Sequence, residues 1–294
     1  MYFNENTVLF LDGKWLKASE TATSLYNQTL HYGNGVFEGI RSYETEHGPS
    51  IFKAKEHYER LLYSAEKMYI DIPYTVDELT AKTYKLLELN GIQDAYIRPL
   101  VYLGEDLHLN PSSDVHVLLA AWEWDKYLGD QLVDVMTSPF QRPNPKSCFV
   151  DAKVTGHYSN SILASTDAKR KGFDEALLLD MNGYVAEGPG ANFFYEKDNK
   201  LYTCPTGNIL PGITRATMFE LCELLEIELE ERFFTPEEIR GADGAFFVGT
   251  AAEVAGISSL DRVPFKLSWE DTIGFELSKA YKRKVLEQEP VYIF

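Results

Sequence analysis

The sequence predicts two domains of mixed α and β structure, the α/β (α+β) class, and three observations carry that prediction. The chain has 294 residues, 45% of them hydrophobic and 25% charged, enough for two buried cores. Short apolar runs are punctuated by two-residue turn signals at Asp12-Gly13, Asn182-Gly183 and Asp198-Asn199, while other stretches repeat apolar residues at helical spacing. The apolar pattern then breaks around WDKYLGDQLV and resumes after the proline-rich QRPNPKS. The predicted division is a smaller N-terminal domain over 1–123, a linker over 124–133 and a larger C-terminal domain over 134–294.

In chain order, VLFLDGKWL reads as a hairpin turning at Asp12-Gly13. HYERLLYSAEKMYI places Leu61, Leu62, Ala65 and Met68 on one helical face, and VDELTAKTYKLLELNG forms a second helix stopping at Asn90-Gly91. AYIRPLVYLG and VHVLLAAWEW read as buried strands. In the second half, YSNSILASTDAKRKG is a helix with Ile162, Leu163 and Ala164 as its apolar residues and Gly172 as its stop. EALLLD and GYVAEG form a hairpin at Asn182-Gly183, and NFFYEKDNKLYTCP folds back at Asp198-Asn199. ITRATMFELCELLEI is a helix. Thr235-Pro236-Glu237-Glu238 carries a capping box with proline at the first helical position, GAFFVGTA is a strand, and WEDTIGFELSKAYKRKVL is the closing helix.

A formal net charge of −17 opposes binding to nucleic acid or an anionic membrane, which needs clustered Lys and Arg. Cys148, Cys204 and Cys222 are too few and too widely spaced for a disulfide framework or a zinc site, so the expected compartment is the reducing cytoplasm. No stretch approaches the ~20 apolar residues of a membrane span. GNILPGIT, residues 207–214, has P-loop glycine spacing, but Ile213 stands where the phosphate-reaching lysine is required. HYGNGVFEG lacks the third glycine of a dinucleotide fingerprint in the right register, no serine-hydrolase elbow is present, and the six histidines show no metal-ligand spacing, so no metal is expected.

Four segments do read together as a site. Lys153, in DAKVTGHY, stands just before a helix among small and polar residues, where partial desolvation would make its amine a nucleophile. Glu187, in YVAEGPGANFF, ends a strand at a Gly-Pro-Gly turn, where a carboxylate projects into a cleft and keeps a pyridine nitrogen protonated. LPGITR opens a helix near Ile213 after Pro211-Gly212, presenting the Ile213 and Thr214 amides and an outward Thr214 hydroxyl to a phosphate. Gly249-Thr250-Ala251-Ala252-Glu253 is a second small-residue turn suited to another anion. Taken singly, each is more often a solvated charge or a helix cap.

HYGNGVFEGIRSYET, EHYERLLYSA, AYIRPLVYLG, DAKVTGHYSNSIL, DMNGYVAEGPGANFF, LPGITR and GTAAEV, in this order, resemble blocks of the fold-type IV pyridoxal-phosphate enzymes, most closely the branched-chain amino-acid aminotransferases. The resemblance spans nearly the whole chain. It implies the D-amino-acid-aminotransferase-like fold, with pyridoxal 5'-phosphate at the domain interface and pyridoxamine 5'-phosphate in the half-reaction. By resemblance, Lys153 in the C-terminal domain forms the Schiff base and shuttles a proton. Glu187 pairs with the pyridine nitrogen and Tyr158 with the ring hydroxyl. Arg60, Gly212, Ile213, Thr214 and Thr250 hold the phosphate. Tyr96, Thr250, Ala251 and Ala252 would meet the substrate α-carboxylate, while Tyr32, Phe37, Gly39, Trp124 and Tyr127 line the side-chain pocket. Arg98 would receive the distal carboxylate of glutamate.

The implied reaction is reversible ping-pong transamination of leucine, isoleucine or valine with 2-oxoglutarate, in a homodimer or larger homo-oligomer with shared sites. Two segments depart from the family pattern: LGEDLHLNP, whose Leu107, His108 and Leu109 bear on side-chain preference, and SLYNQTLHYG, where Asn27-Gln28 is expected to matter structurally. The alternatives are a D-amino-acid or (R)-amine transaminase, an aminodeoxychorismate lyase, or a non-catalytic binding protein of the same fold.

Overall fold

A computed structural model describes residues 2–124, 127–129 and 131–288. They fall into two compact units, one within residues 1–125 together with Ala152–His157, the other within 126–151 together with 158–294. The linker expected over 124–133 falls partly on residues 125, 126 and 130, which lie outside the described residues. The sequence division also put Lys153 with the C-terminal half. Its segment instead packs in the first unit, because Ala152 and Val154 are buried in that unit's core.

The first unit contains β1 (Val8–Leu11), β2 (Lys14–Lys17), α1 (Gln28–Tyr32), β3 (Val36–Phe37), β4 (Ile40–Thr45), β5 (Gly48–Ile51), α2 (Ala54–Lys67), α3 (Val76–Asn90), β6 (Ala95–Leu103) and β7 (Val115–Trp122). Its sheet runs β2-β1-β7-β6-β4-β5, with β3 also on β6. Turn chemistry sets the connections. Asp12 and Gly13 both have positive φ, matching the type I′ turn that suits a right-twisted hairpin. Gly91 ends α3 in the left-handed region, as Asn90-Gly91 implied, and Thr75 with Glu78 caps its start. Apolar residues of α2, α3 and the sheet form one core, including Tyr58, Leu61, Leu79, Leu86, Ile97 and Leu119. Leu62 on α2 and its C-cap Met68 are only half-buried, whereas His57, Tyr58 and Ser64 turn inward beside Leu61 and Ala65.

The second unit contains β8 (Val133–Gln141), α4 (Tyr158–Arg170), β9 (Glu175–Leu179), β10 (Val185–Glu187), β11 (Asn192–Lys197), β12 (Lys200–Thr203), α5 (Ile213–Leu224), β13 (Leu229–Glu231), α6 (Pro236–Ile239), β14 (Gly244–Gly249), β15 (Glu253–Leu260), β16 (Val263–Pro264) and α7 (Ile273–Val285). The sheet path β10-β9-β8-β15-β14-β11 closes on itself through a β10–β11 pairing, so six strands form a barrel. Pairing is mixed, with β8 parallel to both β9 and β15. Phe193, Tyr195, Phe234 and Phe247 are among the residues of its core.

On α4 the apolar residues do not share one face, and only Ala164 of the three turns inward. Ile162 and Leu163 are exposed at 65% and 53%, and Ser161, Ala164, Ser165 and Ala168 are buried. Small side chains let this helix lie close on Met136, Ala176 and Leu178, where a leucine would hold it off. The capping box at Thr235 forms, with Thr235 N–H donating to Glu238 Oε2 at 2.8 Å, although the helix it opens is a single turn.

Candidate active site

In the first unit, the segment bearing Lys153 is stitched to the strand that precedes the FEG sequence. Phe37 N–H donates to Lys153 O at 3.1 Å, Gly156 N–H to Gly33 O at 2.7 Å, and Val36 bridges Val154. The Lys153 amide donates to Ser64 Oγ of α2 at 3.0 Å. Gly33 and Gly156 approach so closely that a Cβ on Gly33 would lie 2.8 Å from Gly156 Cα, and Gly33 also has φ +67°, so space and conformation both select glycine. The Lys153 Nζ stands 5.0 Å from the centroid of the Phe37 ring.

The same ring carries a second cation: Arg98 Cζ lies 4.7 Å from the Phe37 centroid and its Nη2 donates to Tyr96 Oη at 3.1 Å. Tyr96 meets Trp124 edge to face at 4.7 Å and Trp122 at 5.3 Å, while Arg41 Nη2 donates to Trp124 O at 3.0 Å. A Cβ on Gly39 would stand 2.0 Å from Tyr96 Oη, so glycine is what admits the phenol here. Phe37, Gly39, Tyr96, Arg98, Trp124 and Lys153 are therefore brought together, and Trp122 joins them without having been foreseen.

Arg60, half-buried on α2, forks onto Glu38: its Nε donates to Oε1 at 2.6 Å and its Nη2 to Oε2 at 2.9 Å. Glu38 is fully buried and His57, 1% exposed, lies with Nδ1 2.8 Å from Glu38 Oε2. Burial opposes charge on Glu38, but the Arg60 guanidinium and the His57 hydrogen bond outweigh it and hold the carboxyl well below the usual range. Burial pushes His57 down, opposed by Glu38, so the imidazole is neutral and its Nδ1–H donates to the carboxylate. Neither Glu38 nor His57 was among the sequence-derived residues. The available signal was His57 three residues before Arg60, on the face of α2 that carries Leu61 and Ser64 inward.

In the second unit, Glu187 ends β10 and is 5% exposed. Its Oε1 lies 2.8 Å from Arg142 Nε and accepts from Leu210 N–H at 3.2 Å, and its Oε2 accepts from Asn192 Nδ2 at 3.0 Å. Asn192 also donates to Leu210 O at 3.0 Å, tying the carboxylate to the turn before α5. Gly212 is the N-cap of α5, and a Cβ there would stand 2.0 Å from Asn192 Oδ1. Helix α5 does start at Ile213, so its first amides lie at the positive end of its dipole. Ile213 is half-buried. Thr214, expected to present an outward hydroxyl, is instead a buried residue at 3% exposure.

Thr250, Ala251 and Ala252 form the turn between β14 and β15, which lies against the Gly-Pro-Gly turn after Glu187: a Cβ on Gly249 would meet Gly190 O at 3.1 Å. Tyr127 N–H donates to Ala251 O at 3.0 Å and its hydroxyl to Glu175 Oε2 at 3.3 Å, fixing Tyr127 beside that turn. Tyr158 is the first residue of α4. Tyr32 lies apart from the first unit's aromatic cluster. It is 48% exposed at the end of α1 and donates its hydroxyl to Leu107 O at 3.0 Å. Gln28, buried at 1% exposure, holds the same loop by donating Nε2 to His108 O and Asn110 O and accepting from Ser112 N–H, the structural effect expected of Asn27-Gln28.

The first unit holds an arginine forked onto a buried glutamate and an amine beside an aromatic ring, and the second holds a paired carboxylate at a glycine-rich turn and a helix N-terminus; each is a kind of group that an aldehyde cofactor with a basic ring and a phosphate needs. Comparison with known proteins agrees. The family model described as amino-transferase class IV matches residues 35–260, a span containing Lys153, Glu187 and Thr250. The branched-chain-amino-acid aminotransferase of Pseudomonas aeruginosa is 40% identical over 280 residues, 93% of this chain and 91% of its own. A crystal structure of the branched-chain aminotransferase of Thermoproteus uzoniensis with norvaline superimposes with a TM-score of 0.92 at 37% identity, covering 97% of each chain. The branched-chain amino acid aminotransferase of Thermobaculum terrenum, solved in its PLP-form, gives 0.90 at 31% identity over 97% of this chain and 96% of that one. With the family match spanning most of the sequence and whole-chain relatives at these identities, the chain belongs to the class IV aminotransferases, with the two-domain fold-type IV architecture.

Proposed function

We propose that the protein transaminates branched-chain L-amino acids, leucine, isoleucine and valine, with 2-oxoglutarate, yielding branched 2-oxo acids and L-glutamate. One observation carries the substrate reading: the Phe37 ring has the Lys153 amine 5.0 Å from its centroid and the Arg98 guanidinium 4.7 Å from it. An apolar side chain packs on such aromatics, and a glutamate side chain of similar size reaches the arginine, so one pocket serves both half-reactions. Buried Arg98 Nε has no hydrogen-bond partner among the described residues, a donor suited to the distal carboxylate.

The residues fit pyridoxal 5'-phosphate. Lys153 would be its anchor, Glu187 would meet the ring nitrogen and Tyr158 the ring hydroxyl, and Arg60, Gly212, Ile213, Thr214 and Thr250 would take the phosphate. The free amides at the start of α5 support this, since they lie at the positive end of the helix dipole. When bound, the cofactor supplies an electron sink for the pair released at the substrate Cα. Lys153 Nζ takes the proton from the substrate Cα and later returns one. Because the amino group stays with the enzyme while the first 2-oxo acid leaves, the two half-reactions follow in ping-pong order. Glu187, held by Arg142 and Asn192, is a fixed carboxylate that would keep the ring nitrogen protonated. Tyr96 and the Thr250–Ala252 turn would orient the α-carboxylate, Trp124, Gly39 and Tyr127 would shape the side-chain pocket, and Tyr32, exposed and apart from the cluster of its own chain, would line the pocket of a second copy.

We also infer a cytoplasmic homodimer or larger homo-oligomer that acts on small molecules and neither nucleic acid nor membrane, serving branched-chain amino acid biosynthesis when glutamate is the donor. Exposed Leu25, Leu30, Leu107 and Leu109 on and beside α1 support self-association. The test is turnover of L-leucine against D-alanine with 2-oxoglutarate on purified protein, with size-exclusion chromatography alongside. Glutamate and 4-methyl-2-oxopentanoate are expected from leucine. Reaction of D-alanine alone would move the protein to the D-amino-acid branch.

A further inference from the structure

We propose that Glu38 is a positioning residue for cofactor binding, acting through Arg60 to aim its guanidinium at the phosphate. The inference rests on the reading above that Arg60 takes that phosphate. Glu38 lies between β3 and β4, in the segment that carries Phe37 and Gly39, while Arg60 is on α2. The carboxylate takes the Nε and Nη2 edge of the guanidinium at 2.6 and 2.9 Å, a bidentate fork that fixes its plane. It is itself held from three further directions. Its Oε2 accepts from His57 Nδ1 at 2.8 Å and from Gly39 N–H at 3.3 Å, and its own amide donates to Pro99 O at 2.9 Å. A long arginine side chain, which otherwise samples many rotamers, is thereby locked before any ligand arrives.

The charge argument runs the other way and makes the idea testable. A carboxylate beside Arg60 offsets its positive charge and by Coulomb attraction alone would weaken an approaching phosphate. Positioning and charge therefore predict opposite signs on removing the Glu38 charge. With positioning dominant, Glu38→Gln weakens the cofactor. His57 enters as the neutral group that keeps Glu38 from rotating, so His57→Gln, which retains a donor, is expected to have a smaller effect in the same direction.

The experiment titrates the full chain, freed of cofactor, with pyridoxal 5'-phosphate and separately with pyridoxal, by quenching of tryptophan fluorescence. It uses wild type, Glu38→Gln, Glu38→Asp, Arg60→Met and Glu38→Gln/Arg60→Met, each checked by thermal melting. Glu38→Gln is expected to weaken pyridoxal phosphate on the order of 10-fold, a fold-change typical of losing one charge-assisted contact, and to leave pyridoxal within about 2-fold. The double variant should bind no more weakly than Arg60→Met alone, because the effect passes through Arg60. Glu38→Asp, which keeps the charge but shortens the reach, gives the same comparison should Glu38→Gln fail to fold. Equal weakening of both ligands, tighter binding of pyridoxal phosphate, or additive losses in the double variant overturns the inference. If Arg60→Met weakens both ligands equally, the phosphate assignment itself falls and takes the inference with it.

Discussion

Replacing Gly212 by alanine tests how the turn before α5 is built. Gly212 has φ −70° and ψ 137°, a conformation open to any L-residue, so the backbone contributes no strain. The added Cβ would stand 2.0 Å from Asn192 Oδ1 and 3.2 Å from its Cγ, and the Asn192 side chain has to move. That residue is 4% exposed and donates to Glu187 Oε2 and Leu210 O, each at 3.0 Å. Losing a bond to a charged acceptor costs about 1.5–3 kcal/mol and one to a neutral acceptor about 1 kcal/mol. Alanine's smaller unfolded-state entropy offsets about 0.4–1 kcal/mol of this, leaving a net loss of about 1.5–3.6 kcal/mol. The assay is the urea midpoint at unchanged slope and fixed protein concentration. In an Asn192→Ala background the conflict is already gone, so adding Gly212→Ala should cost under about 0.5 kcal/mol. An equal cost in both backgrounds would refute the reasoning, since the damage would then not pass through Asn192.

Other consequences are as direct. Lys153→Ala should retain the fold, read by melting and circular dichroism, and abolish transamination; residual leucine turnover near wild type would remove Lys153 from the chemistry. Arg98→Met should raise KM for 2-oxoglutarate on the order of 10- to 100-fold while leucine changes only a few-fold, because only the dicarboxylate needs the cation. Arg142→Met leaves Glu187 buried without its ion pair and should destabilise by about 3–5 kcal/mol in denaturant melts, with much of the loss recovered by adding Glu187→Gln. Burial pushes the Glu175 carboxyl above its usual range, partly opposed by the Ala176 amide and by Ser165. The folded state therefore holds that proton to higher pH than the unfolded chain, so its stabilising effect is present below the ordinary carboxylate pKa of about 4.3 and is lost as pH rises through the folded value. Glu175→Gln should remove that decline, seen as a flatter plot of melting temperature against pH above that range; an unchanged slope would contradict it.

The sequence by itself determined what is local. Asp12-Gly13, Asn90-Gly91, Asp198-Asn199 and Thr235-Pro236 each specify a turn or cap within four residues, where backbone sterics and one or two hydrogen bonds decide the outcome, and each forms as read. The ordered blocks likewise disclosed the family, and with it Lys153 and Glu187 as candidates. Tertiary structure alone decided which distant groups serve them. Glu38 and Arg60 are 22 residues apart, and the ion pair of Arg142 with Glu187 spans the loop of Lys153 and all of α4. Neither pairing leaves a periodic trace, because the folding of separate elements, not their spacing, closes it. Nor did composition reveal that α4 hides Ser161, Ala164 and Ala168 and exposes Ile162 and Leu163. On a helix packed tightly against a sheet, side-chain volume at the contact outweighs hydrophobicity, and that volume limit is set by the sheet it meets.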